Sequence, residues 1–353
     1  MLKLKNYIEL NPKEHVSKGE IVRQVTMADL EPFSRDIKKC GYVKYKSGTK
    51  FRNGDTLLAR ITPCLENGKT SFVNFLKQNE VAVGSTEFYV LRAVEGKMDP
   101  NYLYYLSISK KFRKSLIKSM TGTSGRQRAT KEAVLDYDSN IPNIDNQKSI
   151  SHKLSLIDDM ISVNNQINDN LMELKTTIFN KMFSINLTNC LNGKIKDIAE
   201  VRTGKRPKIK YSKKGSTPIY PIIGASKIMG YTDEYLYNKS IITTGRVGTL
   251  GIVKRYREPV WVSDNSFIFI TKYEDYLYEL LTHFINYSAL NIGSTQPLIT
   301  QTEFKNVDIY IPKREELIEF KEKVVTLTEQ QFELRQQNRL LNDLKSYLLS
   351  KLF

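Results

Sequence analysis

The stretch Thr130–Pro142, TKEAVLDYDSNIP, returns 170 residues later as Thr300–Pro312, TQTEFKNVDIYIP. Thr130/Thr300, Asp138/Asp308, Ile141/Ile311 and Pro142/Pro312 are identical between the copies. The same ungapped offset carries Leu171 onto Leu341, Leu174 onto Leu344, Lys175 onto Lys345, Lys181 onto Lys351 and Phe183 onto Phe353. A repeat of this length constrains the chain to build one architecture twice. Its 353 residues suffice for about two domains, each with its own core.

After each repeated proline the pattern turns helical. Ile150, Leu154, Ile157, Ile161, Asn164, Asn168 and Leu171 follow a 4-3-4-3-4-3 spacing, as do Phe320, Val324, Leu327, Gln331, Leu334, Asn338 and Leu341. That is a heptad seam, and Leu174, Ile178, Met182, Leu344, Leu348 and Leu352 offer apolar positions to extend it. Pro142 and Pro312 suit a helix entry, since proline fixes φ and lacks a donor. Each helix should run about 35–40 residues, roughly 50–60 Å. One such helix alone would read as a surface helix packed on its own domain; two matched copies favour an antiparallel pair. Asn168 and Asn338 interrupt the seam, either at solvent or as buried residues that fix register.

Ahead of each helix lie strands and turns. Thr56–Ile61, Ser71–Phe75 and Phe88–Arg92 are divided by Asn53-Gly54, Asn67-Gly68 and Gly84-Ser85, and Ser240–Thr244, Gly251–Lys254 and Ser266–Thr271 repeat the arrangement. A short helix begins NYLYYL at Asn101 and DYLYEL at Asp275, and a glycine loop follows at Gly122 and at Gly293. The expected fold is α+β: two tandem mixed α/β domains separated by two long helices that form an antiparallel coiled coil. Residues 1–144 would be the first domain and 145–184 the central helix. Residues 185–312 would be the second domain and 313–353 the C-terminal helix.

Charge follows the same division. Net charge is +10 over residues 1–144, −1 over 145–192, +6 over 193–312 and +1 over 313–353, for +16 in all. A general lysine bias would spread evenly. Two basic blocks instead point to two surfaces for a polyanion, because cations on such surfaces gain from counterion release. Candidate contacts are loop residues able to pair with base edges and phosphates. In the first block these are Arg60, Thr62, Lys69, Ser85, Thr86, Arg126, Gln127 and Arg128; in the second, Lys205, Arg206, Lys208, Arg246, Ser263, Asn265 and Gln296. The GTSGRQR loop is the strongest local signal, and Lys205, Arg206, Lys208, Lys210, Lys213 and Lys214 form the densest basic run. Any single lysine among them also reads as a solvated surface charge.

Enzymatic signals are missing. Methyltransferase Phe-x-Gly-x-Gly and Asn-Pro-Pro-Tyr-like motifs do not occur, and Gly68-Lys69-Thr70 follows Pro63 where a phosphate-binding loop needs glycine. Asp55, Glu66 and Lys69 fit surface groups better than a nuclease centre. His15, His152 and His283 lack metal-ligand spacing, and Cys40, Cys64 and Cys190 form no Cys-x-x-Cys pair. No cofactor or metal is expected. Nor is a membrane span, so a cytoplasmic, DNA-binding protein is the natural reading.

FRNGDTLLARITPCLENGKT (51–70), VGSTEFYVLR (83–92), GTSGRQRATKEAVLDYDSNIPNIDNQKSI (122–150) and KIKDIAEVRTGKRP (194–207) together resemble the specificity subunit of Type I restriction–modification systems, over essentially the whole chain. The resemblance implies two target recognition domains, each reading part of a split double-stranded DNA site. It implies helices that set the spacing between half-sites and dock two modification (methyltransferase) subunits, joined by restriction (translocase/endonuclease) subunits. The helix positions so assigned to pairing and partners are Ile150, Leu154, Ile157, Ile161, Asn168, Leu171, Phe320, Val324, Leu327, Leu334, Asn338 and Leu341. The second glycine loop departs from the pattern by lacking GRQR, and Gln331 and Gln337 stand where the first helix has Ile161 and Ile167. Two other readings stay open: the specificity subunit of a system that cuts on both sides of its site, or a stand-alone repressor or architectural DNA protein.

Overall fold

A computed structural model describes residues 2–212 and 219–353. It divides into two compact units, residues 1–166 with 334–353 (unit 1) and residues 167–333 (unit 2). The expected α+β class is observed in both.

Unit 1 is built on an antiparallel sheet ordered Ile8–Leu10, Phe88–Ala93, Thr56–Ala59, Thr70–Phe72. Side chains on a strand alternate between faces, and here both faces are covered. Leu58, Tyr89 and Leu91 join one core with Leu103, Leu106, Phe112 and Leu116. Leu57, Phe88 and Val90 join another with Val25 and Phe51. Helices cover the first face: α1 (Pro100–Ile108), α2 (Lys110–Lys118) and α3 (Lys131–Leu135). A second sheet covers the other, ordered Gly41–Lys44, Ile21–Val25, Ala82–Gly84, Thr49–Phe51, with a parallel pairing of Gln24–Val25 to Val83–Gly84. Each fully buried Leu or Val contributes about 1.5–3 kcal/mol. The long helix α4 (Ile144–Asn189, 46 residues) follows.

Unit 2 repeats the plan. After α5 (Ile195–Ile198), the sheet Glu200–Thr203, Ser266–Ile270, Ile241–Gly245, Lys254–Tyr256 carries Ile242, Phe267 and Phe269 on the face toward α6 (Glu274–His283). Ile241 and Ile268 pack on the other face with Ile223 and Val262 of a sheet ordered Ile228–Thr232, Tyr220–Ile223, Trp261–Val262. The short α7 (Gln301–Lys305) leads to α8 (Arg314–Leu352, 39 residues). Thr130 and Thr300, the repeated threonines, are the N-caps of α3 and α7, accepting from the N–H groups of Ala133 and Glu303 at 3.2 Å each.

The sequence pattern predicts a strand at Gly251–Lys254. The strand begins only at Lys254, because Gly251 sits at φ +78° in a turn. The second sheet of each unit was not anticipated.

In both units the long helices run antiparallel, with contacts descending one helix as they ascend the other. In unit 1, Asp158 meets Lys345 at 2.6 Å, and Asn164 donates to Asn338 at 2.9 Å. Asn338 in turn donates to Asn165 at 2.9 Å, so this polar interruption is a hydrogen-bonded register contact rather than a solvated one. In unit 2, Lys175 donates to Gln331 at 3.3 Å, and Phe179 and Phe183 pack on Phe320. Leu154, Ile157, Phe320 and Val324 are buried, while Ile150, Ile161, Asn168, Leu171, Leu327, Leu334 and Leu341 are half-buried. Leu174 and Leu344 do not extend the seam, being 47% exposed; their neighbours Lys175 and Lys345 are 2% and 4% exposed and take the seam positions. The heptad continues by four residues from Leu171 and Leu341, and acidic or polar partners accept the two ammonium groups there. The aromatic end of each repeat docks alike, Phe353 on Tyr102 at 5.0 Å and Phe183 on Tyr276 at 5.3 Å.

Asp158 also accepts from the Tyr105 hydroxyl at 2.8 Å, so the carboxylate that pairs with the buried Lys345 ammonium is itself held in place. Asp158→Ala should destabilise unit 1 by about 3–5 kcal/mol by leaving that ammonium unpaired. Adding Lys345→Met should recover part of the loss; calorimetric unfolding of the single and double variants measures both.

Candidate nucleic-acid interface

Three loops meet in each unit through main-chain hydrogen bonds. In unit 1, the Arg60 N–H donates to the Glu87 carbonyl at 3.0 Å, Ala129 to Arg60 at 2.8 Å, and Thr62 to Gln127 at 2.9 Å. In unit 2, Arg246 donates to Asn265 at 2.8 Å, Ile299 to Arg246 at 3.0 Å, and Gly248 to Pro297 at 2.9 Å. The bridge between Ile61 and Arg128 is matched by that between Val247 and Leu298. Each junction therefore joins the loop leaving one central strand, the turn entering its neighbour, and the glycine loop ahead of α3 or α7.

These junctions gather most of the residues singled out in the sequence. Arg60, Thr62, Ser85, Thr86, Arg126, Gln127 and Arg128 lie on the loops of unit 1; Arg246, Ser263, Asn265 and Gln296 lie on those of unit 2. Arg126, Thr86 and Gln296 are exposed. Ser85 shapes its turn, its hydroxyl accepting from the Glu87 N–H at 3.2 Å. Lys69 is instead drawn to the Met27 carbonyl, at 2.6 Å. Lys205 joins the second junction by its backbone, donating to Val262 at 2.9 Å and accepting from the Trp261 indole at 2.6 Å. Arg206 pairs with Asp264 at 2.7 Å, and Lys208 is exposed. Lys213 and Lys214 lie outside the described residues.

The candidate contacts are cations, amides and hydroxyls, and they leave out the acid at the first junction. Glu87 receives Arg128 as a two-pronged pair, Nε at 2.9 Å and Nη2 at 2.6 Å, and lies 3.7 Å from the Arg60 Nε. The Arg128 hydrogen bond, helped by the charge of Arg60, holds the Glu87 carboxyl below the usual carboxylate range. The Arg60 guanidinium also lies over the Tyr89 ring, 5.0 Å from its centroid. The signal was present in the sequence as the lone acid beside VGST at the strand entry. Among the described residues no cluster of His, Cys, Asp or Glu is arranged to hold a metal ion, and no helix is long and apolar enough to cross a membrane.

The sequence pattern of a family described as the Type I restriction modification DNA specificity domain matches residues 5–173 and 191–345. The chain is 37% identical over 128 residues to the Type I restriction enzyme EcoAI specificity subunit of Escherichia coli, covering 34% of this chain and 21% of that protein. It is 34% identical over 137 residues to the EcoEI specificity subunit of the same species, covering 36% and 22%. The aligned regions thus span about a fifth of those relatives. In fold the chain is similar to a Type I restriction–modification S subunit from M. genitalium, with a TM-score of 0.55 at 15% identity over 100% of this chain and 95% of that one.

Two glycines close the second junction sterically. A Cβ on Gly204 would lie 2.1 Å from the Ser263 carbonyl oxygen, and one on Gly293 2.0 Å from that of Gln296. Gly204→Ala and Gly293→Ala should each cost roughly 1–3 kcal/mol, read as a lowered melting temperature. Gly41→Ala, where the added methyl meets nothing within 4 Å, should leave it nearly unchanged.

Proposed function

Because the chain belongs to the Type I restriction modification DNA specificity domain family, we propose that it is the non-catalytic subunit that directs a restriction–modification enzyme to a split double-stranded DNA site. Each unit would read one half-site. The observation that carries this reading is the pair of loop junctions, matched bond for bond along the backbone yet bearing different side chains. Reading two different sequences with one scaffold calls for that combination. The basic balance of both blocks supports it, since phosphate contacts supply affinity and base edges supply choice.

Modification subunits would dock on the helices, and restriction subunits would join them. The seam residues are spent on internal packing. The faces left for a partner in unit 1 are Leu156, Met160 and Val163 on α4 and Leu340, Leu344 and Tyr347 on α8, 47–69% exposed and spaced four and three residues apart. Apolar residues at that period suit the flank of an added helix.

Arg126→Ala should weaken DNA binding by the assembled complex and flatten its salt dependence, with folding unchanged. A salt titration of binding checks this, and identical titration curves would remove the glycine loop from the interface. Helix length should also set the spacing of the half-sites. Four residues inserted in both α4, after Asn165, and α8, after Gln337, add about one turn, roughly 6 Å. That rise is close to two base pairs. Sequencing of methylated sites should then find a longer spacer between unchanged half-sites; altered half-sites with the original spacer would refute the ruler.

A further inference from the structure

The two junctions share one side chain and differ in another pair. Arg60 and Arg246 occupy the same place, and the Nε of each is buried without a hydrogen-bond partner. A residue common to both units cannot by itself tell two half-sites apart. Where unit 1 has Glu87 and Arg128, unit 2 has Asn265 and Leu298, with the main-chain bonds kept. The ion pair is thus not needed to form the junction. Nor is stability an adequate reason for it, since Arg128 is 39% exposed and a pair at that exposure adds little.

Arg128 is nonetheless tightly held. Its Nε and Nη2 donate to Glu87, and its Nη1 donates to the Arg126 carbonyl at 3.1 Å. A guanidinium has five N–H groups, so one on Nη1 and one on Nη2 remain. Those form its end-on edge, the pair that matches the O6 and N7 acceptors of guanine in the major groove. An arginine already fixed in orientation loses less freedom on binding and tolerates less displacement of its target.

We infer that Glu87 is a positioning residue for base recognition: it holds Arg128 so that the end-on N–H pair reads a guanine in the half-site served by unit 1. This rests on the proposed reading of unit 1 as a DNA-contacting unit. A phosphate oxygen would accept the same pair but would give no base preference.

The test is selection from a randomised duplex library by the complex assembled with its modification subunits, followed by sequencing. The variants are Glu87→Gln, Glu87→Asp, Arg128→Lys and Arg126→Ala, each with its melting temperature measured. Glu87→Gln and Arg128→Lys should lower the preference for a G·C pair at one position of one half-site by about tenfold or more. The other half-site and the spacer should stay as they were, and Glu87→Asp should restore most of the preference. Uniformly weaker or uniformly stronger binding with Glu87→Gln, or an unchanged motif, overturns the inference while Arg126→Ala still weakens binding. If Arg126→Ala is also without effect, the reading of unit 1 as a DNA-contacting unit itself fails.

Discussion

Each long helix carries one lysine into its seam, and the pairing of the helices depends on how that charge is met. A buried ammonium is tolerated only when opposite charge and hydrogen bonds surround it. Lys345 finds Asp158 on α4, itself bonded to Tyr105 of α1. Lys175 lies 4.0 Å from Asp275 and 3.9 Å from Glu279, both on α6. At the position matching Asp158, unit 2 has Thr328, which donates to Asp275 at 2.9 Å. The acid has changed helices between the copies while the ammonium has stayed. Either way the charge ties three elements together, so the helix pair shares one register with α1 in unit 1 and with α6 in unit 2.

That register lets the junction loops rely on backbone alone. The central strands are pinned on both faces by their cores, and their ends arrive in fixed positions. Three main-chain bonds then close each junction whatever the side chains are. Arg126 beside Gln296, and Arg128 beside Leu298, are alternatives that the same backbone accepts.

The repeat, the helices and the two-block charge pattern were legible because each depends on local periodicity. The expected extension of the seam fails at Leu174, Leu344 and Leu352, which are exposed although apolar. The strict heptad pointed to Lys175 and Lys345, whose burial depends on acids far away in sequence. The second sheets were opaque for a similar reason. Ile21–Val25 has a Val-Arg-Gln interior, and its parallel partner Ala82–Gly84 is three residues long and distant in the chain. Among the site residues, arginines on glycine loops could be found by type. Glu87 gained its meaning only when Arg60 and Arg128 came together around it.

The units differ in how they are cut from the chain. Unit 2 is one uninterrupted segment, 167–333, whereas unit 1 needs residues 334–353 to complete it. During synthesis, then, the unit begun first is the one finished last. Leu154, Tyr104 and Tyr105, which pack against Leu348, Leu349 and Phe353, remain uncovered while the whole of unit 2 is being made. On the ribosome the nascent first half carries an open apolar seam for some 170 residues of elongation, a period of about 10–30 s at ordinary rates.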